Sequence, residues 1–168
     1  MLISDLILIQ VALLLALLFE PPGLMLDGQV KTISDGLREH PGIGLGIFVF
    51  LTGILHLMLH RASFRLLASV LSWSAMAGYL GILFYPNNQP NAHTLYATMA
   101  MASPLMLQTQ LLLEGYNSLL VYSTVAWLLL IAVGISFWFW PVGTGIFQIS
   151  YVSVLWLSWA EFSHFEDC

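Results

Sequence analysis

The chain has 168 residues, of which 59% are hydrophobic and only 8% are charged, and its mean hydropathy is +0.87. Soluble domains carry roughly 25% charged residues, and a soluble chain this apolar would expose large hydrophobic patches that drive aggregation. Four Lys and Arg residues stand against nine Asp and Glu residues, which excludes the basic surface that nucleic-acid binding requires. The composition therefore predicts an integral membrane protein with a single domain over 1–168.

Six stretches of the chain approach the roughly 20 apolar residues that a helix needs to cross a bilayer. They are continuous apolar runs rather than alternating ones, which favours helices over a membrane barrel. The predicted spans are 2–19, 43–60, 66–85, 94–113, 119–140 and 144–162. The sequence thus predicts an all-α fold, a polytopic membrane bundle of about six transmembrane helices.

A polar segment over 20–42 separates the first two spans and is long for a helical bundle, where connections of about 2–8 residues are usual. It carries most of the charged side chains, and Pro21 and Pro22 end the first helix. We predict a solvated cap over the extracytoplasmic end of the bundle. The first span lacks a basic leader and a small-residue cleavage site, so we expect a retained helix rather than a signal peptide.

The orientation depends on few basic residues. Arg61 and Arg65 flank the short connection between the second and third spans, whereas Lys31 and Arg38 lie among acids in the long polar loop. The positive-inside rule acts on basic residues close to the helix ends. We therefore expect Arg61 and Arg65 to be cytoplasmic, and with six spans both termini share that side.

His56 and His60 are four residues apart on the second predicted helix, so both imidazoles point to one helix face. Two histidines at this spacing hold zinc in His-Glu-x-x-His enzymes, but here the intervening residues are apolar and supply no general base. A haem would need a second axial histidine at matching depth, and no other span offers one. We expect His56 to bond a neighbouring helix through Ser72, Ser74 or Gln108.

The fourth span is the least regular of the six. It contains Pro104, which frees a backbone carbonyl and predicts a kink, and the polar residues Gln108 and Gln110. Intramembrane polar groups usually face the bundle interior and mark a pathway or a packing contact. The alternative is a re-entrant segment, which would leave five crossings and put the termini on opposite sides.

The last two spans are joined by the very tight connection 141–143, and Gln148 is a further polar residue within the sixth span. Several aromatic residues fall near predicted span ends and are typical of interfacial anchors: Tyr85, Trp138, Trp140, Trp156 and Trp159. Glycines lie within the second, third and fifth spans, where small residues let helices approach closely in lipid: Gly53, Gly78, Gly81 and Gly134.

A candidate site lies on the predicted outer face. His93 follows the polar connection that begins at Pro86, and it shares that side with His40, Asp35 and Glu39 of the long loop. Imidazoles with carboxylates can bind a divalent metal or transfer a proton, so these four are candidate metal ligands. The spacing matches no known ligand motif, and a solvated cap is the favoured interpretation.

One pattern resembles a known family. The polar loop contains Thr32-Ile33-Ser34-Asp35-Gly36, a Phe-x-Pro turn follows the third span, and His93 opens the fourth. This layout is similar to that of the small six-helix membrane proteins of the domain-of-unknown-function 998 family, relatives of the DRAM-like proteins, although their leucine before the glycine is absent here. The resemblance implies a six-helix topology without an established reaction, and it makes Ser34, Asp35 and His93 the candidate catalytic positions.

Three classes of function remain open. The favoured one is a small non-enzymatic membrane protein that packs lipids or partner subunits, as a homo-oligomer or within a larger membrane complex. The second is a transporter or channel for a small or lipidic solute, which requires a water-filled cavity reaching Gln108 and Gln110. The third is a metal-dependent or lipid-modifying enzyme using Ser34, Asp35, His40 and His93. No cofactor is predicted, and a divalent metal belongs to the third class alone.

Overall fold

The computed structural model describes residues 41–85, 90–139 and 141–164, and these are helical apart from short connections at 62–64, 85 and 114–116. The described helices are α1 (Pro41–Arg61), α2 (Arg65–Phe84), α3 (Pro90–Leu113), a 3₁₀ turn (Asn117–Leu119), α4 (Leu120–Phe139) and α5 (Pro141–His164). The all-α prediction is confirmed, because this part of the chain contains no strand. The first predicted span, 2–19, and the loop residues up to 40 lie outside the described residues.

Each described α-helix has 20 to 24 residues. At 1.5 Å per residue, helices of this length extend about 30–36 Å, comparable to the roughly 30 Å hydrocarbon core of a bilayer. By length and composition, two segments are apolar enough to cross a membrane, Arg65–Phe84 and Asn117–Phe139. These two helices point to association with a membrane.

Three prolines define helix starts. Pro41, Pro90 and Pro141 are the first residues of α1, α3 and α5, where the fixed φ of proline suits a helix and its missing N–H is not needed. The expected boundaries were wrong at these points. Residues 41–42, 90–93 and 141–143 were predicted as connections, and all are helical.

Helix α3 runs without interruption through the buried Pro104. Its 24 residues form one continuous helix, and both the full crossing and the re-entrant alternative stay predictions. The kink expected at Pro104 stays a prediction.

The most extensive helix contacts join α2 with α3 and α4 with α5. Helix α1 packs mainly against α2, and α3 also contacts α4 and α1. Close packing of the first pair depends on glycine. A Cβ at Gly78 would lie 2.7 Å from the Tyr96 carbonyl oxygen, and a Cβ at Gly81 would overlap the Tyr96 ring. At Gly53 and Gly134 nothing among the described residues lies within 4 Å of an added Cβ, so the close packing expected at those two glycines stays a prediction.

Much of the surface of the described helices is formed by apolar side chains. Many large hydrophobic residues of α2 and α4 are exposed, including Leu66, Trp73, Leu128, Ile131 and Trp138, which is 79% exposed. Trp156 and Trp159 are instead buried, which corrects their assignment as interfacial anchors. Both side chains belong to the hydrophobic core, to which all five described α-helices contribute residues.

Candidate functional site

The amide of Gln108 occupies the centre of the described bundle and is 0% exposed. Its Nε2 donates to Ser123 Oγ of α4 at 2.9 Å. Its Oε1 accepts hydrogen bonds from Ser158 Oγ at 2.7 Å and from the Trp159 indole N–H at 2.9 Å, both on α5. One primary amide, which both donates and accepts, therefore connects three helices. The prediction that Gln108 faces the bundle interior is confirmed by this geometry.

Further polar contacts surround this centre and also join helices. Tyr151 of α5 donates to the Met101 carbonyl oxygen of α3, and Ser103 of α3 donates to Ser74 of α2 at 2.9 Å. Ser136 of α4 donates to Thr144 of α5 at 3.1 Å. A polar group buried without a partner in an apolar environment costs several kcal/mol by transfer estimates (roughly 2–7), and these contacts give the Tyr151 and Ser103 hydroxyls their partners. These contacts join the helices, while two buried polar atoms of the described residues, Ser72 Oγ and Gln110 Oε1, have no hydrogen-bond partner.

A second cluster lies where α3 ends and α2 begins. Glu114 Oε2 accepts the Ser63 backbone N–H at 2.7 Å, and its Oε1 accepts the Phe64 N–H at 3.3 Å. Gln110 Nε2 donates to Glu114 Oε1 at 2.8 Å and to the Phe64 carbonyl at 3.3 Å. A carboxylate on N–H groups at a helix start satisfies orphan donors and meets the positive end of the helix dipole.

Opposing effects act on the pKa of Glu114. Desolvation by burial raises the pKa, while hydrogen bonds from the Ser63 backbone, the Gln110 side chain and the Phe64 backbone lower it, and the net shift is downward. The carboxylate is thus held in its charged form at neutral pH. Gly115, with φ at +108°, lets the chain reverse directly after it.

His56 and His60 do not contact the groups that the sequence suggested. Their Nε2 atoms lie 3.1 Å apart, the rings meet edge to face with centroids 4.5 Å apart, and both side chains are exposed. Ser74 and Gln108 bond other residues, and the buried Ser72 hydroxyl has no hydrogen-bond partner. The prediction that His56 bonds a neighbouring helix through them was therefore wrong, because the i and i+4 spacing brings the two rings to each other.

The predicted outer-face site can be followed only through His93. Its Nδ1 lies 2.8 Å from the Tyr85 carbonyl oxygen, so the ring nitrogen donates and ties the end of α2 to the first turn of α3. Ser34, Asp35, Glu39 and His40 lie outside the described residues. Within the described ranges, no group of three or more His, Cys, Asp or Glu side chains could hold a metal ion.

Several functional contacts were missed at the level of sequence. Ser123 and Ser158 gave no signal, because a serine in an apolar helix is common and its partner depends on helix register. The contacts of Glu114 with the start of α2 were not foreseen either. Gln148, predicted to be intramembrane, is partly exposed on α5.

Comparison with known proteins found no relative: no family model, curated protein or solved structure matches the chain. The resemblance to the domain-of-unknown-function 998 family stays a hypothesis.

Proposed function

We propose that the chain is a multi-pass membrane protein of six transmembrane helices with cytoplasmic termini, and that its role is non-enzymatic: it packs lipids or partner subunits. The observation that carries the proposal is the contrast between centre and surface. The amide of Gln108 is sealed inside by protein partners, while large apolar side chains of α2 and α4 face outward. This distribution suits lipid as the solvent.

Helix α4 makes the argument most directly. Leu128 is 62% exposed, and Ile131 and Ile135 are each 55% exposed. Their neighbours on the opposite face, Ser123 and Ala126, are buried. A helix that presents its aliphatic side chains outward and its serine inward has the polarity expected of a lipid-facing helix. In water the same surface would be a large exposed apolar patch, which marks a membrane or partner contact.

The transporter alternative finds no specific support among the described residues. It requires water to reach Gln108 and Gln110, and both side chains are buried in contact with protein groups. The enzyme alternative rests on residues of the polar loop that lie outside the described part of the chain, so no observation favours it.

Leu128→Arg tests the membrane proposal. An arginine at the centre of a transmembrane helix costs about 2.5–3.5 kcal/mol of insertion free energy, whereas a surface substitution in water usually stays within about 0.5 kcal/mol. We expect the variant to lose most of its carbonate-resistant membrane fraction. The matched control is Leu66→Arg, at a leucine that is 82% exposed but beside Arg65 at a helix end. Equal behaviour of the two variants would contradict the proposal.

The orientation can be tested with the chain's own chemistry. Cys168 is the sole cysteine, so a membrane-impermeant maleimide reports on one position. We expect labelling only after the membrane is permeabilised, and the same result for a cysteine placed at Ser63 in a Cys168→Ser background. Labelling of Cys168 in intact cells would contradict cytoplasmic termini, and labelling at only one of the two positions would contradict an even number of spans between that connection and the C-terminus.

A further inference from the structure

The pair His56 and His60 is placed to bind a metal. Both side chains are exposed near the end of α1, and their Nε2 atoms are 3.1 Å apart. Two imidazole nitrogens each about 2.0–2.1 Å from one zinc ion stand about 2.9–3.4 Å apart for bond angles of about 90–110°. The observed separation falls inside that interval, so one ion can contact both nitrogens after a small rotation of the rings.

We propose that His56 and His60 form a two-imidazole chelating site for a late divalent transition metal ion, Cu²⁺, Ni²⁺ or Zn²⁺, with water completing the coordination. Imidazole is a ligand of intermediate softness that suits these ions, whereas Mg²⁺ and Ca²⁺ prefer oxygen. The site lies in the last turns of α1, where the partial negative charge of the helix end favours a cation.

The alternative to a metal is a hydrogen bond between the rings, in which one Nε2 donates its proton and the other accepts. In that arrangement one neutral ring carries its proton on Nε2. To bind a metal through both Nε2 atoms, that ring takes the tautomer with its proton on Nδ1, by exchange with solvent, and both rings stay neutral. The i and i+4 spacing of His56 and His60 in the sequence was already compatible with a zinc site. The structure adds that both rings are exposed and that their Nε2 atoms lie close together.

The test uses the full chain in detergent, purified without an oligohistidine tag, and titrated with Cu²⁺ while electron paramagnetic resonance is recorded. We expect one strongly bound Cu²⁺ per chain with hyperfine structure from two imidazole nitrogens. The order of affinity should be Cu²⁺ above Ni²⁺ and Zn²⁺, and Mg²⁺ and Ca²⁺ should not compete.

Two variants and one control locate the site. His56→Gln and His60→Gln should each weaken binding by more than the roughly 10- to 100-fold that loss of an outer-shell partner costs, and each should remove the two-nitrogen signal. His93→Gln, on α3, should bind like the unchanged chain. Glutamine is a good helix former, and circular dichroism verifies that each variant is folded.

Three outcomes would be decisive. Binding of one ion per two chains would support the site if either glutamine substitution abolishes it, with a second copy supplying further ligands. Binding that survives both substitutions, or binding lost in His93→Gln alone, would overturn the proposal. Membrane insertion of the His56 and His60 variants is expected to be unchanged, so this test fails or succeeds independently of the proposed function.

Discussion

The hydrogen bond between Trp159 and Gln108 gives a measurable coupling between α5 and α3. The indole N–H lies 2.9 Å from Gln108 Oε1, and the Trp159 side chain is 2% exposed. Gln108→Met keeps the length of the side chain and removes the acceptor, and Trp159→Phe removes the donor. We expect the two substitutions to be less than additive, because the second cannot remove a bond that the first has already broken.

The magnitude follows from the partners of each group. Interhelical hydrogen bonds in membrane proteins average about 0.6 kcal/mol and reach about 1.7 kcal/mol. Gln108 makes three such bonds, so Gln108→Met should lower the free energy of unfolding by about 2 kcal/mol. Ser158 also lies 2.6 Å from the Leu155 carbonyl and keeps a partner. Among the described residues the indole has no other acceptor, so we expect a coupling free energy of about 1 kcal/mol with Trp159.

Equilibrium unfolding by sodium dodecyl sulfate, followed by circular dichroism, measures the four members of the cycle without relying on tryptophan fluorescence. The control is the same cycle with Trp138→Phe, since Trp138 is 79% exposed at the end of α4, and its coupling to Gln108 should be near zero. A Trp159 coupling no larger than that of Trp138 would refute the argument that the buried amide holds α5 against α3.

Two further predictions concern the α2–α3 pair. Gly78→Ala places a Cβ against the Ala100 backbone nitrogen and 2.7 Å from the Tyr96 carbonyl oxygen. Unfolding in detergent should therefore show a free energy of unfolding lowered by about 1–3 kcal/mol. Gly53→Ala, where an added Cβ has nothing within 4 Å among the described residues, is the control, and an equal effect of the two substitutions would contradict close packing at Gly78. Glu114→Gln should cost about 1 kcal/mol at neutral pH through the weakened helix cap. Because the pKa of Glu114 is lowered in the folded chain, the stabilisation by its carboxylate is present above the ordinary carboxyl pKa and is lost as the pH falls through the folded value. A difference in unfolding free energy between Glu114→Gln and the unchanged chain that persists in acid would rule out this cap.

The positions of the helices could be predicted from the sequence because each is a continuous apolar run with proline, glycine or polar residues at its boundaries. Each described helix overlaps a predicted span, and the errors lie at the prolines. Pro90 and Pro141 were taken as parts of loops, since proline ends helices, yet it is equally suited to their first position. Periodicity does not separate these roles, because both place proline at a boundary.

The partners of polar residues could be predicted much less well. The burial of Gln108 could be expected from its apolar neighbours in the chain, but its partners Ser123 and Ser158 depend on the rotation and relative position of two other helices. For His56 the local spacing sufficed, since the i and i+4 relation specifies His60 as its neighbour. The prediction of a bond from His56 to another helix was wrong because it favoured a distant partner over the local one, His60.

The polar contacts of α2 and α3 suggest what most buried polarity in this chain does. At one end of the pair, His93 donates to the Tyr85 carbonyl, and at the other end Glu114 accepts from Ser63 and Phe64. Between these ends the two helices meet at Gly78 and Gly81 without room for a side chain.

Such a pair, bonded at both ends and close-packed between them, is suited to act as a rigid unit. The amide of Gln108 attaches α4 and α5 to that unit. Polar groups committed to helix contacts in this way are poorly placed to bind a solute, which favours a packing role for the bundle. His56 and His60 differ because their nitrogens contact each other at an exposed surface, and that difference is the reason to look for a ligand there.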